Sequence, residues 1–379
     1  MNSEVAYGAS TLDASIRSRF VETATGLTQH VLEAGDPEAP AILLLHGFPE
    51  LAYSWRKVIP ILAGAGYHIL APDQRGYGRT TGWDGRYECD LEQFRLTGFV
   101  RDALALVNAF GHRSVEMVVG HDYGSPVAGF SALIRPDVFT RVTLMSAPFP
   151  GLPALPFDAH TRAPATNPNA VDDALRALPH PRKHYRWYYS TPEANDNMWC
   201  APQGVHDFLR AYYHHKSADW ATNKPHPLAS WSAEHMAELP TYYVMEAAKG
   251  MAETVAEEMP NADEIANAVW LTDEELRVYA CEYERIGFQG GLQSYRCGTN
   301  PDYSDDLRLF AGRNIDVPAC FISGASDWGT HQSPGAFQRM QTEACTDFRG
   351  AHLLPGAGHW VQQEQAEAVA QVLLDHAKA

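Results

Sequence analysis

Gly120-His121-Asp122-Tyr123-Gly124 sets a carboxylate between two glycines. This G-x-D-x-G follows the apolar run Val115 to Val119 and precedes Pro126 and a helix-like Val127-Ala128-Gly129-Phe130. A sharp strand-to-helix turn leaves no room for flanking side chains, so glycines there push the central side chain out above a sheet. Pro126 suits a first helical turn, where its missing donor is harmless. The macrodipole and free amides of a helix N-terminus favour an ionised carboxylate, so Asp122 is expected to be a nucleophile at neutral pH. No G-x-S-x-G occurs, which weighs against a serine hydrolase.

A carboxylate nucleophile needs a base to free its product, and the base needs an acid to hold its tautomer. Asp327, in Gly324-Ala325-Ser326-Asp327-Trp328-Gly329, and His359, in Gly356-Ala357-Gly358-His359-Trp360, follow Asp122 in the order nucleophile, acid, histidine. With 17 histidines in the chain, position and flanking glycines select His359. His46-Gly47-Phe48-Pro49-Glu50 comes straight after another apolar run. Its loop is expected to aim the Phe48 N–H, with that of Tyr123, at a developing oxyanion, each donor contributing about 3 kcal/mol in the transition state. His46 and Pro49 would brace that loop and border the substrate.

These residues must hang on strands. Ala41 to Leu45, His68 to Ala71, Val115 to Val119, Val142 to Met145 and Ala319 to Ile322 are short continuous apolar runs, as in strands buried on both faces. Between them lie amphipathic stretches such as Val100, Leu104 and Val107, closed by Gly111. The alternation predicts an α/β fold: a mostly parallel, doubly wound sheet with functional residues at the carboxyl ends of its strands. The rhythm breaks after Pro150 and resumes near Ile315, which predicts a core of residues 1–150 and 306–379 with a helical cap inserted at 151–305. Within the cap, Thr272 and Glu275 form a possible capping box ahead of Leu276, Tyr279, Tyr283 and Ile286, with Gly287 at the end. A last helix carries Val369, Val372 and Leu373 on one side.

At 379 residues, with 45% hydrophobic and only 20% charged residues, the chain can bury a large core. Its net charge of −17 repels phosphate backbones and anionic lipid, so neither nucleic acid nor membrane is expected as a partner, and the substrate should be neutral or apolar. Six cysteines without C-x-x-C spacing read as buried thiols of a reducing compartment. The first residues, Met1 to Ala6, lack signal-peptide character, and the expected location is the cytoplasm. His206, His214, His215 and His226 lack the acidic or cysteine partners of a zinc site, so no metal is expected.

Taken together, these segments resemble the soluble epoxide hydrolases of the α/β-hydrolase superfamily over most of the chain. The likeness rests on His46 to Glu50 followed by Tyr53-Ser54-Trp55-Arg56, on Asp73-Gln74-Arg75-Gly76-Tyr77-Gly78, on G-H-D-Y-G and on G-H-W at His359. Gly287-Phe288-Gln289-Gly290-Gly291-Leu292-Gln293-Ser294-Tyr295-Arg296 is similar to the segment carrying one catalytic tyrosine of that family, and Tyr185 matches the other, with Tyr188 and Tyr189 close enough to compete. The resemblance implies that Tyr185 and Tyr295 hold the epoxide oxygen while Asp122 attacks a ring carbon, that water activated by His359 then cleaves the ester, and that no cofactor takes part. Cap aromatics such as Trp187, Trp199, Trp220 and Trp231 hint at an apolar epoxide, and Trp187 and Trp328 are expected beside it. Two departures stand out: Tyr123 occupies a position usually held by Trp, and the stretch between the two tyrosines is longer than usual. Dehalogenases share the aspartate, but those acting on haloalkanes place Asn at the position of Phe48, and those acting on fluoroacetate place Arg at that of Tyr123. A ligand receptor of the same fold, without turnover, is the rival from a different class.

Overall fold

The computed structural model describes residues 7–8, 10–152 and 170–378. Met1 to Ala6, and residues 153–169 at the start of the expected cap, lie outside the described residues. The strands, in chain order, are β1 (Arg17–Glu22), β2 (Thr28–Ala34), β3 (Ala41–Leu45), β4 (His68–Pro72), β5 (Met117–His121), β6 (Val142–Met145), β7 (Arg182–His184), β8 (Val244–Glu246), β9 (Ala319–Gly324) and β10 (Phe348–Leu354). Eight of them form one sheet in the order β1-β2-β4-β3-β5-β6-β9-β10, and only β2 runs against the rest.

Alternation within the central strands explains why they are apolar throughout. Ile42, Leu44, Met117 and Val119 pack into one core cluster, whereas Leu43, Leu45, Val118 and Leu144 pack into a second on the opposite face. Successive side chains point to opposite faces of a strand, so a sheet covered on both sides buries every position. β5 starts two residues later than its apolar run suggests, because pairing with β3 begins at Met117 opposite Ile42, and Val115 makes only an isolated bridge to Phe139.

The two N-terminal strands carry no hydrophobic signature to read. β1 is an edge strand whose residues are almost all exposed, so no buried face patterns it. Between β6 and β9 the described residues are mainly helical, with β7 and β8 as a small antiparallel pair that the sequence reading did not anticipate. Three residues per strand are too few to show periodicity. Thr272 and Glu275 do form a reciprocal capping box on helix Asp273–Ile286, and Gly287 closes it with φ 68°. Of the cysteines expected to be buried, Cys200 and Cys281 are exposed instead.

Candidate active site

Each proposed reacting group follows the carboxyl end of a strand. β3 leads into the Gly47-Phe48 loop, β5 into Asp122, β6 into Ser146, β9 into Asp327, and the chain after β10 into His359. Asp122 has φ 51°, a conformation that non-glycine residues adopt at a cost of about 1–3 kcal/mol. The turn tolerates it because both neighbours two residues away are glycines. A methyl group on Gly120 would strike the carbonyl of Gly124, and one on Gly124 would strike those of Leu45 and His46. The helix Gly124–Ile134 starts immediately afterwards.

The Asp122 carboxylate accepts the Phe48 N–H at Oδ1 over 3.0 Å. Its Oδ2 lies 3.2 Å from His359 Nε2, within ion-pair distance but off-line for a hydrogen bond. Burial alone would raise the Asp122 pKa, but His359, Lys216 and His121 overcome it and hold the carboxyl well below its usual range. The far side of the imidazole meets Asp327, whose Oδ1 is 3.1 Å from Nδ1. A carboxylate can only accept there, which fixes the proton on Nδ1 and turns Nε2 toward Asp122. Asp327 is itself held by the Gly329 N–H at 2.7 Å and Ser323 Oγ at 3.0 Å.

The loop bearing His359 is fastened from several directions. Glu364 accepts the N–H groups of Gly358, Trp360 and Ala218 at 2.9, 3.0 and 2.8 Å. The His359 N–H itself donates to the Lys216 carbonyl at 2.9 Å, and the His359 carbonyl receives His121 Nε2 at 2.7 Å. The other ring nitrogen of His121 lies 2.6 Å from Glu50. Burial opposes a charge on His121, yet that carboxylate raises its pKa.

Above the carboxylate, a cavity of about 310 Å³ brings Asp122, Tyr185 and Tyr295 together, with Phe130 and Phe149 among its apolar walls. Tyr185 is the first residue after β7, and its N–H is bonded to the Tyr243 carbonyl at 2.8 Å, so the small sheet absent from the sequence reading sets its position. Tyr295 lies on helix Gln289–Thr299, with its ring centroid 5.8 Å from that of Tyr185. Burial, then the charge of Asp122, pushes the Tyr295 phenol well above its usual range, and burial raises Tyr185 against the pull of Arg186. Both therefore keep their protons. Tyr188 and Tyr189 do not line this cavity; the hydroxyl of Tyr189 donates to Tyr212 at 3.2 Å, and Lys183 sits over the ring of Tyr188.

Residues 40–366 match the α/β hydrolase fold family. Epoxide hydrolase B of Mycobacterium tuberculosis is 33% identical over 353 residues, covering 90% of this chain and 92% of that one. Epoxide hydrolase A of the same organism is 32% identical, covering 94% and 96%. The chain belongs to the epoxide hydrolases of the α/β-hydrolase fold. Among solved structures, an epoxide hydrolase from an endophytic Streptomyces superposes with a TM-score of 0.75 at 30% identity, covering 97% of this hydrolase and 96% of that chain. Potato epoxide hydrolase I does so with 0.73 at 29%, covering 96% and 99%.

Four residues expected at the substrate do not border the cavity of this hydrolase. His46 is fully buried behind the loop, with Nδ1 2.8 Å from the Gly47 carbonyl and Nε2 accepting the Gln74 N–H at 3.1 Å, so both ring nitrogens serve as braces. Pro49 turns its carbonyl to the Tyr213 hydroxyl at 3.0 Å. Trp187 lies edge-on to His184, and Trp328 is buried edge-on to His226. Trp199 and Trp231 reach the surface. In their place stand Arg186 and Gln332, which had no recognisable signal in the sequence. Of the pair expected to hold an oxyanion, the Phe48 N–H is directed at Asp122 as anticipated from H-G-F-P-E.

Proposed function

We propose that this hydrolase converts an epoxide and water to a vicinal diol through an Asp122 alkyl ester. Asp122 Oδ2 forms a bond to a ring carbon as the ring C–O bond breaks, and a phenol of Tyr185 or Tyr295 gives its proton to the departing alkoxide. Water then attacks the ester carboxyl carbon while His359 Nε2 takes a proton, with Asp327 stabilising the imidazolium. The Phe48 and Tyr123 N–H groups hold the tetrahedral oxyanion. The acyl C–O bond breaks, His359 returns its proton to the leaving diol oxygen, and the water's second proton, left on the Asp122 carboxyl, passes to the tyrosinate, so that carboxylate and phenol are both regenerated. Residues 151–305 form the cap that supplies both phenols, and the enzyme works in the cytoplasm, without a metal or organic cofactor.

One observation carries this reading. A carboxylate, rather than a hydroxyl or thiol, stands 3.2 Å from the histidine of an acid-held pair and faces a cavity walled by two protonated tyrosines. An aspartate ester is stable until a base activates water, so removing that base should trap it. On incubation with styrene oxide, His359→Gln should gain the intact mass of one substrate, located on Asp122 by peptide mapping, while steady-state diol formation falls roughly thousandfold or more. Diol formation at the wild-type rate, or an unmodified Asp122, would refute the covalent route.

A further inference from the structure

Arg186 is a charged side chain in the cavity wall to which the reaction above assigns no task. It is half-buried and adjoins Tyr185 in sequence and in space. Its Nε donates to the Tyr185 hydroxyl over 3.4 Å and an Nη to Gln332 Oε1 over 3.4 Å, two long contacts to neutral acceptors. Burial works against its charge, while the hydrogen bond to the Tyr185 hydroxyl favours it. Among the described residues no aspartate or glutamate forms an ion pair with it. Asp122, the one carboxylate lining the cavity among the described residues, is committed to Phe48 and His359.

A guanidinium partly withdrawn from water without a carboxylate carries a desolvation cost, and its planar fork matches a carboxylate in bidentate fashion. Resting on the function proposed above, we infer that the preferred substrate is an epoxide carrying a carboxylate on a ring carbon, with its ring oxygen at Tyr185 and Tyr295 and its carboxylate on Arg186. The 3.4 Å between Arg186 Nε and the Tyr185 hydroxyl places the two donors side by side, the spacing required by adjacent ring oxygen and carboxylate, whereas an anion several carbons away would pass the guanidinium by. Electrostatics points the same way. Asp122 is negative, so an anionic substrate can approach it only if a cation offsets the repulsion, and Arg186 is the cation among the residues lining the cavity. The net charge of −17, from which a neutral substrate was expected, acts mainly over distances where salt screens it, while Arg186 acts at contact.

The test compares 3-phenylglycidate with its methyl ester in wild type, Arg186→Gln and Arg186→Lys. Wild type should favour the acid in kcat/KM; the acid-to-ester ratio should fall at least about tenfold in Arg186→Gln and be partly restored in Arg186→Lys. An unchanged ratio, or equal losses on both substrates, overturns the inference, the latter because Arg186 would then be acting through Tyr185. Binding of the unreactive 3-phenylpropanoate, followed by calorimetry, needs no turnover. If no epoxide is hydrolysed but this acid binds wild type at least about tenfold more tightly than Arg186→Gln, the anion site stands and the epoxide reading falls. Equal binding to both proteins overturns the anion site itself.

Discussion

Asp327 illustrates how one side chain ties the site to the stability of the fold. Burial opposes its ionisation, but His359, then Ser146 and the Gly329 N–H, bring its pKa down from 3.8 to about 2. The folded value is the lower one, so the ionised carboxylate stabilises the fold fully above the ordinary carboxyl range, and that contribution is lost as pH falls from about 4 through about 2. The difference corresponds to about 2 kcal/mol. Urea unfolding of wild type and Asp327→Asn should therefore show stability curves that converge by about 2 kcal/mol over that interval, and parallel curves would show that Asp327 is not held ionised by its partners. At this scale Asp122, Asp327 and His359 were legible because glycines and strand ends mark them in the chain. Trp187 and Trp328 were misplaced because an aromatic residue looks the same in sequence whether it faces a cavity or packs behind one.

Helix Gln289–Thr299 is the element on which the second half of the site turns. It reaches the core at Gly290, where an added methyl would strike the backbone of Gly76, itself at φ 89°. Backbone cannot step aside as a flexible side chain can, so Gly290→Ala should push the helix off the core loop, cost about 1–3 kcal/mol and lower kcat/KM by displacing Tyr295. Gly298→Ala provides the contrast, since its added methyl meets open space and alanine favours the helix; it should raise the thermal midpoint. Calorimetric Tm values for the two variants check both signs. The sequence revealed Gly290-Gly291 as part of a recognisable segment, but not why glycine is required there, because the colliding atoms belong to a loop more than 200 positions earlier. Likewise β7, which delivers Tyr185, is too short to announce itself.

The whole molecule is stitched across the core and the helices inserted into it by a buried cation. Arg56 donates from Nε to Glu275 at 2.9 Å, from Nη1 to Gln363 at 2.7 Å and from Nη2 to the Trp270 carbonyl at 3.1 Å. Removing one partner of a buried pair leaves an uncompensated charge, so Arg56→Met should destabilise by about 3–5 kcal/mol, toward the lower end because Lys57 lies 3.7 Å from Glu275. Part of that loss should return in Arg56→Met/Glu275→Leu, where no buried carboxylate is stranded, although Lys57 and the Thr272 capping box lose Glu275 as partner; urea unfolding of the pair decides it. Among the described residues no helix is long and apolar enough to cross a membrane. The sequence by itself determined the α/β architecture and marked Asp122, Asp327 and His359, because apolar strand runs and glycine-bounded turns are local constraints written in neighbouring residues. Tertiary structure alone decided which tyrosine of three meets Asp122, that His46 braces rather than binds, and that Arg186 enters the cavity, because each depends on contacts between segments far apart in the chain.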